Sequence, residues 1–284
     1  MGKRSPEIEP SIARIWHRSD GHTTEILLQR ALPLMSNPDQ MKLFVHQLEE
    51  RNFHNAWAKA IHAVLREGAE LVIGGGDERK PIRDSCMLIS LTGNAIKQIE
   101  AHELHPHYPF RRIEEYCREF TRPFLEEYHA KPEKERFSYL YFARLARYAP
   151  LPDAGNVDQL ALLQDALAEQ IKDTITSNRA QAITWYVPGD LQRSSPPCLQ
   201  RIQIRYVPER TVDVHLTWRS RDLFTAWQSN IVCLIEMLNR EVIKPNKCTI
   251  IRIIDYSDSL HLYSRDLEDA KRVKLVPVSP QELQ

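Results

Sequence analysis

An α+β fold is predicted for this chain, with helices gathered ahead of a strand-rich end. Three observations predict it. Helical periodicity of apolar residues dominates residues 53–177, strand-like runs crowd into the last hundred residues, and the two kinds of run do not alternate as βαβ units would. The 284 residues suffice to bury a real core, and 42% hydrophobic with 27% charged residues is an ordinary soluble composition.

Residues 1–50 show short helical patterns around 25–32 and 40–50 and no motif. They read as an N-terminal extension to a main domain over 51–284. Over 53–67 apolar residues recur at helical spacing (Trp57, Ala60, Ile61, Val64, Leu65), and Gly68 stands where a helix ends. GGGDERKPIRD (74–84) reads as a charged loop and CMLISLTG (86–93) as a strand. Residues 109–128 and 157–177 read as amphipathic helices flanking an aromatic, basic stretch at 137–152. AITWYV, LQRIQIRYV, TVDVHLTW and CTIIRIIDY then read as strands around one helix at 222–242.

Charge and cysteines exclude several classes of function. Thirty-eight basic residues balance 38 acidic ones, so no global field draws the chain to a nucleic-acid polymer or an anionic membrane. No run reads as a signal peptide or a membrane span, and a cytoplasmic protein is expected. Five scattered cysteines without a CxxC pair argue against a disulfide framework or structural zinc, so reduced thiols are expected. HELHPHY (102–108) resembles a zinc cluster but has Pro106 where HExxH needs its second histidine, and no metal is expected. GGGDERK lacks the lysine-serine pair of a P-loop. Small-molecule chemistry or a protein partner remains.

The strongest local signal is a hairpin. VPERT (207–211) reads as a turn between two alternating strands. A midpoint between Pro208 and Glu209 sets Cys198, ten residues before Pro208, opposite Arg219, ten residues after Glu209. A guanidinium beside a thiol favours the thiolate, the form a nucleophilic cysteine uses.

PPCLQRIQI, WRSRDLFTAWQSN (218–230) and SLHLY (259–263) resemble the thymidylate synthase family in order and spacing. VDQL (157–160), NRAQAITW (178–185) and YLYFARL (139–145) fit the same resemblance, which covers roughly residues 53–270. It implies a mixed, six-stranded sheet flanked by helices, and a homodimer formed through the sheet face. It also implies transfer of one carbon from 5,10-methylenetetrahydrofolate to C5 of a pyrimidine nucleoside monophosphate. The expected product is dTMP from dUMP; a nucleotide 5-hydroxymethylase and a catalytically silent nucleotide-binding relative are the alternatives.

Roles follow from the same resemblance. Cys198 matches the nucleophile that adds to C6. Arg219 and Ser220 match the phosphate-binding pair, Arg179 an arginine given to the partner's site across the dimer, and Arg79 or Arg83 a mobile phosphate ligand. Gln203 is a further expected substrate contact. Asp222 matches the residue that holds the folate's pterin, with capping of the next helix as its structural role. Asn230 matches the reader of the pyrimidine edge, where aspartate is characteristic of the cytosine-reading hydroxymethylases; an amide suits uracil. His261 and Tyr263 match the pair that binds the sugar 3′-hydroxyl. Tyr141 and Glu115 are the candidates for the family's tyrosine and general acid/base near C4, with Glu114 and Glu119 competing for the second role.

The chain departs from the family pattern at four places. Leu199 follows the cysteine where histidine is common, Ser259 replaces an aspartate two residues before His261, and Phe142 replaces a glycine. Only 21 residues follow Tyr263, fewer than the tail that closes over folate in most members. Closure and exclusion of water bear on whether the product carries a methyl or a hydroxymethyl group.

Overall fold

The computed structural model describes residues 45–74, 79–149 and 155–278. Its order is β1 (Val45–Glu50), α1 (Phe53–Glu67), β2 (Ala69–Ile73), β3 (Lys80–Thr92), α2 (Asn94–Glu100), α3 (Ile113–Arg118), α4 (Arg122–Ala130) and α5 (Tyr141–Ala146). Then come α6 (Gln159–Asp173), β4 (Gln181–Ile183), α7 (Val187–Asp190), β5 (Leu199–Val207), β6 (Thr211–Trp218), β7 (Arg221–Asp222), α8 (Trp227–Leu238), β8 (Thr249–Tyr263) and α9 (Leu267–Ala270). Six strands form one path, β1-β3-β8-β6-β5-β4, while β2 pairs with β3 and the short β7 with β8. β1–β3, β6–β8 and β7–β8 are parallel and the remaining pairs antiparallel, so the sheet is mixed, as expected. The sheet therefore has eight strands among the described residues where six were expected, β2 and β7 being the two that pair off the path.

β5 and β6 alternate as their sequences promise. Leu199, Ile202, Ile204 and Tyr206 are buried with Val212, Val214, Leu216 and Trp218 in the core. Arg201, Gln203, Arg205, His215 and Thr217 stay half-buried on the other, polar face. Every residue of α8 except Glu236 is buried, which explains why this helix is apolar around most of its circumference.

Several boundaries differ from the sequence reading. Residues 45–50 form an edge strand and no helix, so the sheet begins before the expected domain boundary; the pattern at 25–32 lies outside the described residues. β3 starts at Lys80, shortening the expected loop. The helix expected over 109–128 breaks in two because Thr121 caps a new helix that carries a proline in its first turn. The helix expected at 222–242 starts at Trp227, since Asp222 caps a preceding turn instead, and it runs on through a π-helical turn at Asn239–Ile243. Gly68 does end α1, with ordinary negative φ; a Cβ there would lie 2.5 Å from the Val64 carbonyl oxygen.

The cysteine reading needs a correction. Cys117 of α3 and Cys233 of α8 form a disulfide with Cα atoms 4.7 Å apart, while Cys86, Cys198 and Cys248 are free. The partners lie 116 residues apart, a pairing that only tertiary packing creates. Among the described residues no helix is long and apolar enough to cross a membrane.

Candidate active site

The β5–β6 hairpin places the thiol. Glu209 and Arg210 both have positive φ and turn the chain tightly. The strands pair as Val207↔Thr211 through Arg201↔Thr217, half a residue off the register expected from the sequence. A bulge at Gln200 then shifts the pairing to Leu199↔Trp218, and the Arg219 N–H donates to the Cys198 carbonyl at 3.0 Å. Cys198 and Arg219 therefore meet as predicted, by a route that includes one extra residue. The Gln200 amide holds the bulge by donating to the Pro197 and Leu199 carbonyls at 3.0 and 3.2 Å.

Among the described residues Arg219 is fixed by backbone and pairs with no carboxylate. Its Nε and Nη2 donate to the Pro197 and Pro196 carbonyls at 2.9 and 2.6 Å, and Nη2 lies 3.8 Å from Cys198 Sγ. The two prolines before the cysteine thus orient the guanidinium through their carbonyls without neutralising it. Tyr141 reaches the same turn, its hydroxyl accepting from the N–H groups of Cys198 and Leu199 at 3.3 and 3.4 Å. Burial, then the neighbouring Cys198, pushes the Tyr141 phenol well above its usual pKa.

Beside this turn is a cavity of about 320 Å³ lined by Tyr116, Glu119, Tyr139, Tyr141 and Ser195 among others. Glu119 is the carboxylate that lines it, and burial raises its pKa, favouring the proton-carrying form. The expected Glu115 is exposed on α3 and lies 3.6 Å from Arg112, and Glu114 is exposed as well. The break of the predicted long helix after Arg118 explains the difference, since Glu119 sits at the helix end and turns inward. Tyr116, which lines the cavity, donates its hydroxyl proton to Asn230 Oδ1 at 2.7 Å.

His261 and Tyr263 lie on β8 with their rings edge to face and centroids 4.9 Å apart. Ser259, which departs from the family pattern, leads to a carboxylate from another strand. Ser259 Oγ donates to Asp84 Oδ1 at 2.7 Å and lies 3.2 Å from His261 Nδ1. A hydroxyl has one proton, already given to Asp84, so Nδ1–H must donate to Ser259. His261 Nε2 is left buried, unprotonated and without a partner among the described residues, as a bare acceptor. Burial lowers the His261 pKa, consistent with a neutral ring. Asp84 faces His261 in the β3–β8 register, a relation between strands far apart in sequence.

Asp222 accepts from the N–H groups of Phe224 and Thr225 at 2.9 Å each and from Thr225 Oγ1 at 2.5 Å. Two of these bonds fall on Oδ1, so Oδ2 keeps capacity for an outside donor. Beneath it Arg221 is buried against Asp255, with two bonds of 2.7 and 2.8 Å, and the Trp218 and Trp227 indoles donate to the same carboxylate at 2.9 Å. Ser220, half-buried, sits between Arg219 and this anchor.

Comparison with known proteins gives the family. The thymidylate synthase family matches residues 96–277, more than half of the chain. The chain belongs to the thymidylate synthase family. It is 23% identical over 232 residues to a Methanosarcina mazei protein described as "Putative thymidylate synthase", covering 80% of this chain and 93% of that one. Proteins of the same description from Methanopyrus kandleri (25% over 223 residues, 77% and 93% covered) and Methanothermobacter thermautotrophicus (22% over 243 residues, 80% and 98% covered) are also similar.

For this thymidylate synthase family member, the other expected residues lie as follows. Arg79 is exposed, whereas Arg83 is engaged with the Leu65 carbonyl and with Glu70 at 3.1 Å. Arg179 is exposed just before β4 and forms no ion pair among the described residues; Gln203 donates to the carbonyl of its neighbour Asn178 at 2.9 Å. The chain after β8 runs back over α1: His62, His105 and Asn55 hold Val273, Lys274 and Val276 by bonds of 2.9, 2.9 and 2.8–3.0 Å. Of HELHPHY, His102 approaches Cys117 and Glu236, with possible ligand atoms within 4.8 Å. That sulfur is committed to the disulfide, and Glu236 is already paired with His102 and Arg240 at 3.1 and 3.5 Å.

Proposed function

We propose that this chain transfers one carbon to C5 of a uridylate, dUMP for preference, through a covalent bond between Cys198 Sγ and C6, giving dTMP. The observation that carries the reading is the free thiol 3.8 Å from a guanidinium that no carboxylate among the described residues neutralises. Arg219 and Ser220 bind the phosphate, joined by Arg79 and, in a homodimer, by the partner's Arg179. His261 Nε2 accepts from the 3′-hydroxyl beside Tyr263, and Asn230 reads O4 and N3–H. 5,10-Methylenetetrahydrofolate supplies the carbon and, for a methyl product, the hydride, and the open side of Asp222 suits its pterin N–H donors.

Attack by the Cys198 thiolate on C6 sends an electron pair through C5 to O4, where the Asn230 amide N–H stabilises the growing charge. C5 becomes the nucleophile that takes the methylene carbon from the folate's N10, the carbon staying bonded to N5. Loss of the C5 proton, for which Tyr141 and Glu119 lining the cavity are the candidates, then breaks the bond to N5 and leaves an exocyclic methylene on C5. Hydride from the released tetrahydrofolate, which becomes dihydrofolate, adds to that methylene, and the electron pair expels the Cys198 thiolate from C6 and restores the ring. Leu199, fully buried, brings no polar group to the thiol and favours hydride over water at the last step.

Incubation with methylenetetrahydrofolate and C5-tritiated dUMP is expected to release tritium, and Cys198→Ala to abolish release. No turnover of dUMP, UMP, dCMP or CMP would leave only a silent nucleotide-binding role. The product's mass decides the chemistry, since methylation adds CH₂ and hydroxymethylation adds CH₂O. Sedimentation of an active protein as a monomer would remove Arg179 from the scheme.

A further inference from the structure

Asn230 can serve two different rings. With Nδ2 toward the ring's C4 substituent and Oδ1 toward N3 it suits uracil, which offers an O4 acceptor and an N3–H donor. Rotated by half a turn, the same amide suits cytosine, which offers an amino donor and a bare N3. An asparagine alone therefore does not choose, and whatever fixes its rotation does.

In this chain one side chain is placed to fix it. The Tyr116 hydroxyl donates to Asn230 Oδ1 at 2.7 Å, and Nδ2 makes no hydrogen bond among the described residues. Asn230 is 7% exposed on a helix buried on nearly every side, so the amide has little freedom beyond rotation about its own bond. Tyr116 is held in turn by edge-to-face contacts with Phe110 and Phe120, centroids 6.0 and 5.3 Å away. The next residue, Cys117, is bonded to Cys233, one turn along α8 from Asn230.

We propose that Tyr116 is a positioning residue that makes the site select uracil over cytosine by locking the Asn230 amide with Oδ1 toward the phenol. This deepens the function proposed above and rests on the site holding a pyrimidine nucleotide. Oδ1 has two lone pairs, one for Tyr116 and one for the uracil N3–H, while Nδ2 donates to O4. For cytosine the amide must turn, and Nδ2 then faces the phenol oxygen. The phenol proton loses its acceptor just as the nucleotide closes the cavity to water. Burial also pushes the Tyr116 phenol well above its usual pKa, so the proton stays in place throughout the neutral range. An unmet donor of this kind corresponds to about tenfold or more in affinity.

The test is a double-mutant cycle on the full chain, with dissociation constants for dUMP and dCMP measured by calorimetry. Wild type is expected to prefer dUMP, and Tyr116→Phe to narrow the dUMP/dCMP ratio about tenfold. In an Asn230→Ala background the same substitution should leave the ratio unchanged. Equal weakening of both nucleotides by Tyr116→Phe would show a merely structural tyrosine and overturn the proposal, as would a ratio change that persists without Asn230. Wild type binding neither nucleotide would overturn the pyrimidine site itself, and this inference with it.

Discussion

Two arginines two residues apart, and two buried histidines, divide the molecule into a closed region and an open one. Arg221 is buried to 2% exposure with its charge met by Asp255, while Arg219 is half-buried and held by the carbonyls of Pro196 and Pro197. His105 uses both ring nitrogens, Nε2–H donating to the Lys274 carbonyl at 2.9 Å and Nδ1 accepting from the His107 N–H at 3.1 Å. His261 uses one and leaves Nε2 bare. In the closed region the charges are met and most polar groups satisfy one another, Arg221 Nε being an exception, and together they hold elements in place. In the open region neighbours orient a group yet leave its charge or lone pair for something that arrives from outside.

The largest expected effect breaks the closed side. Arg221→Met strands the Asp255 carboxylate in the core and should lower stability by about 3–5 kcal/mol in denaturant titration, with most of the loss recovered in Arg221→Met/Asp255→Leu. Arg219→Met should leave stability within about 1 kcal/mol of wild type. It should nevertheless weaken dUMP about a hundredfold while leaving the uncharged nucleoside unaffected. Equal stability losses from the two substitutions would erase the distinction.

A smaller effect separates the histidines by pH. Burial lowers the His105 pKa from 6.5 to about 4, so between those values the unfolded chain binds the proton first. Stability from this residue is complete above about pH 6.5, falls as pH drops toward about 4, and changes no further below, a loss of about 3 kcal/mol. His105→Gln should flatten that part of the stability–pH curve, and an unaltered slope would remove His105 as its source. Smallest is the relay to His261. Asp84→Ala frees the Ser259 proton to turn toward His261, and should weaken dUMP about fivefold without changing the affinity of the 3′-deoxy analogue.

Much of the site was legible where local rules govern. Alternation along β5 and β6 and the VPERT turn set Cys198 against Arg219 from sequence alone, and HLY placed His261 and Tyr263 on one strand. What escaped was set by tertiary packing. Asp84 stands beside Ser259 because β3 pairs with β8, 175 residues apart at that bond. Cys117 and Cys233 meet because α3 packs on α8. Glu119 lines the cavity while Glu115 is exposed because a capping threonine and Pro123 divide what periodicity read as one helix. Tyr116 falls within the amphipathic helix read over 109–128, and periodicity has no way to say that its hydroxyl would end on an amide.

The bulge at Gln200 works as a spare joint in the hairpin. Gln200 and Arg201 are both half-buried while Leu199 and Ile202 on either side of them are both in the core, so the extra residue is absorbed where it stands and does not invert the strand beyond it. Leu199 keeps Trp218 as its partner, and Cys198 keeps Arg219. Removing Gln200 would restore plain alternation with the same partners and leave Cys198 on its present face, but it would take away the amide that holds the Pro197 and Leu199 carbonyls. A one-residue deletion here would change how firmly the thiol is held and not which way it points.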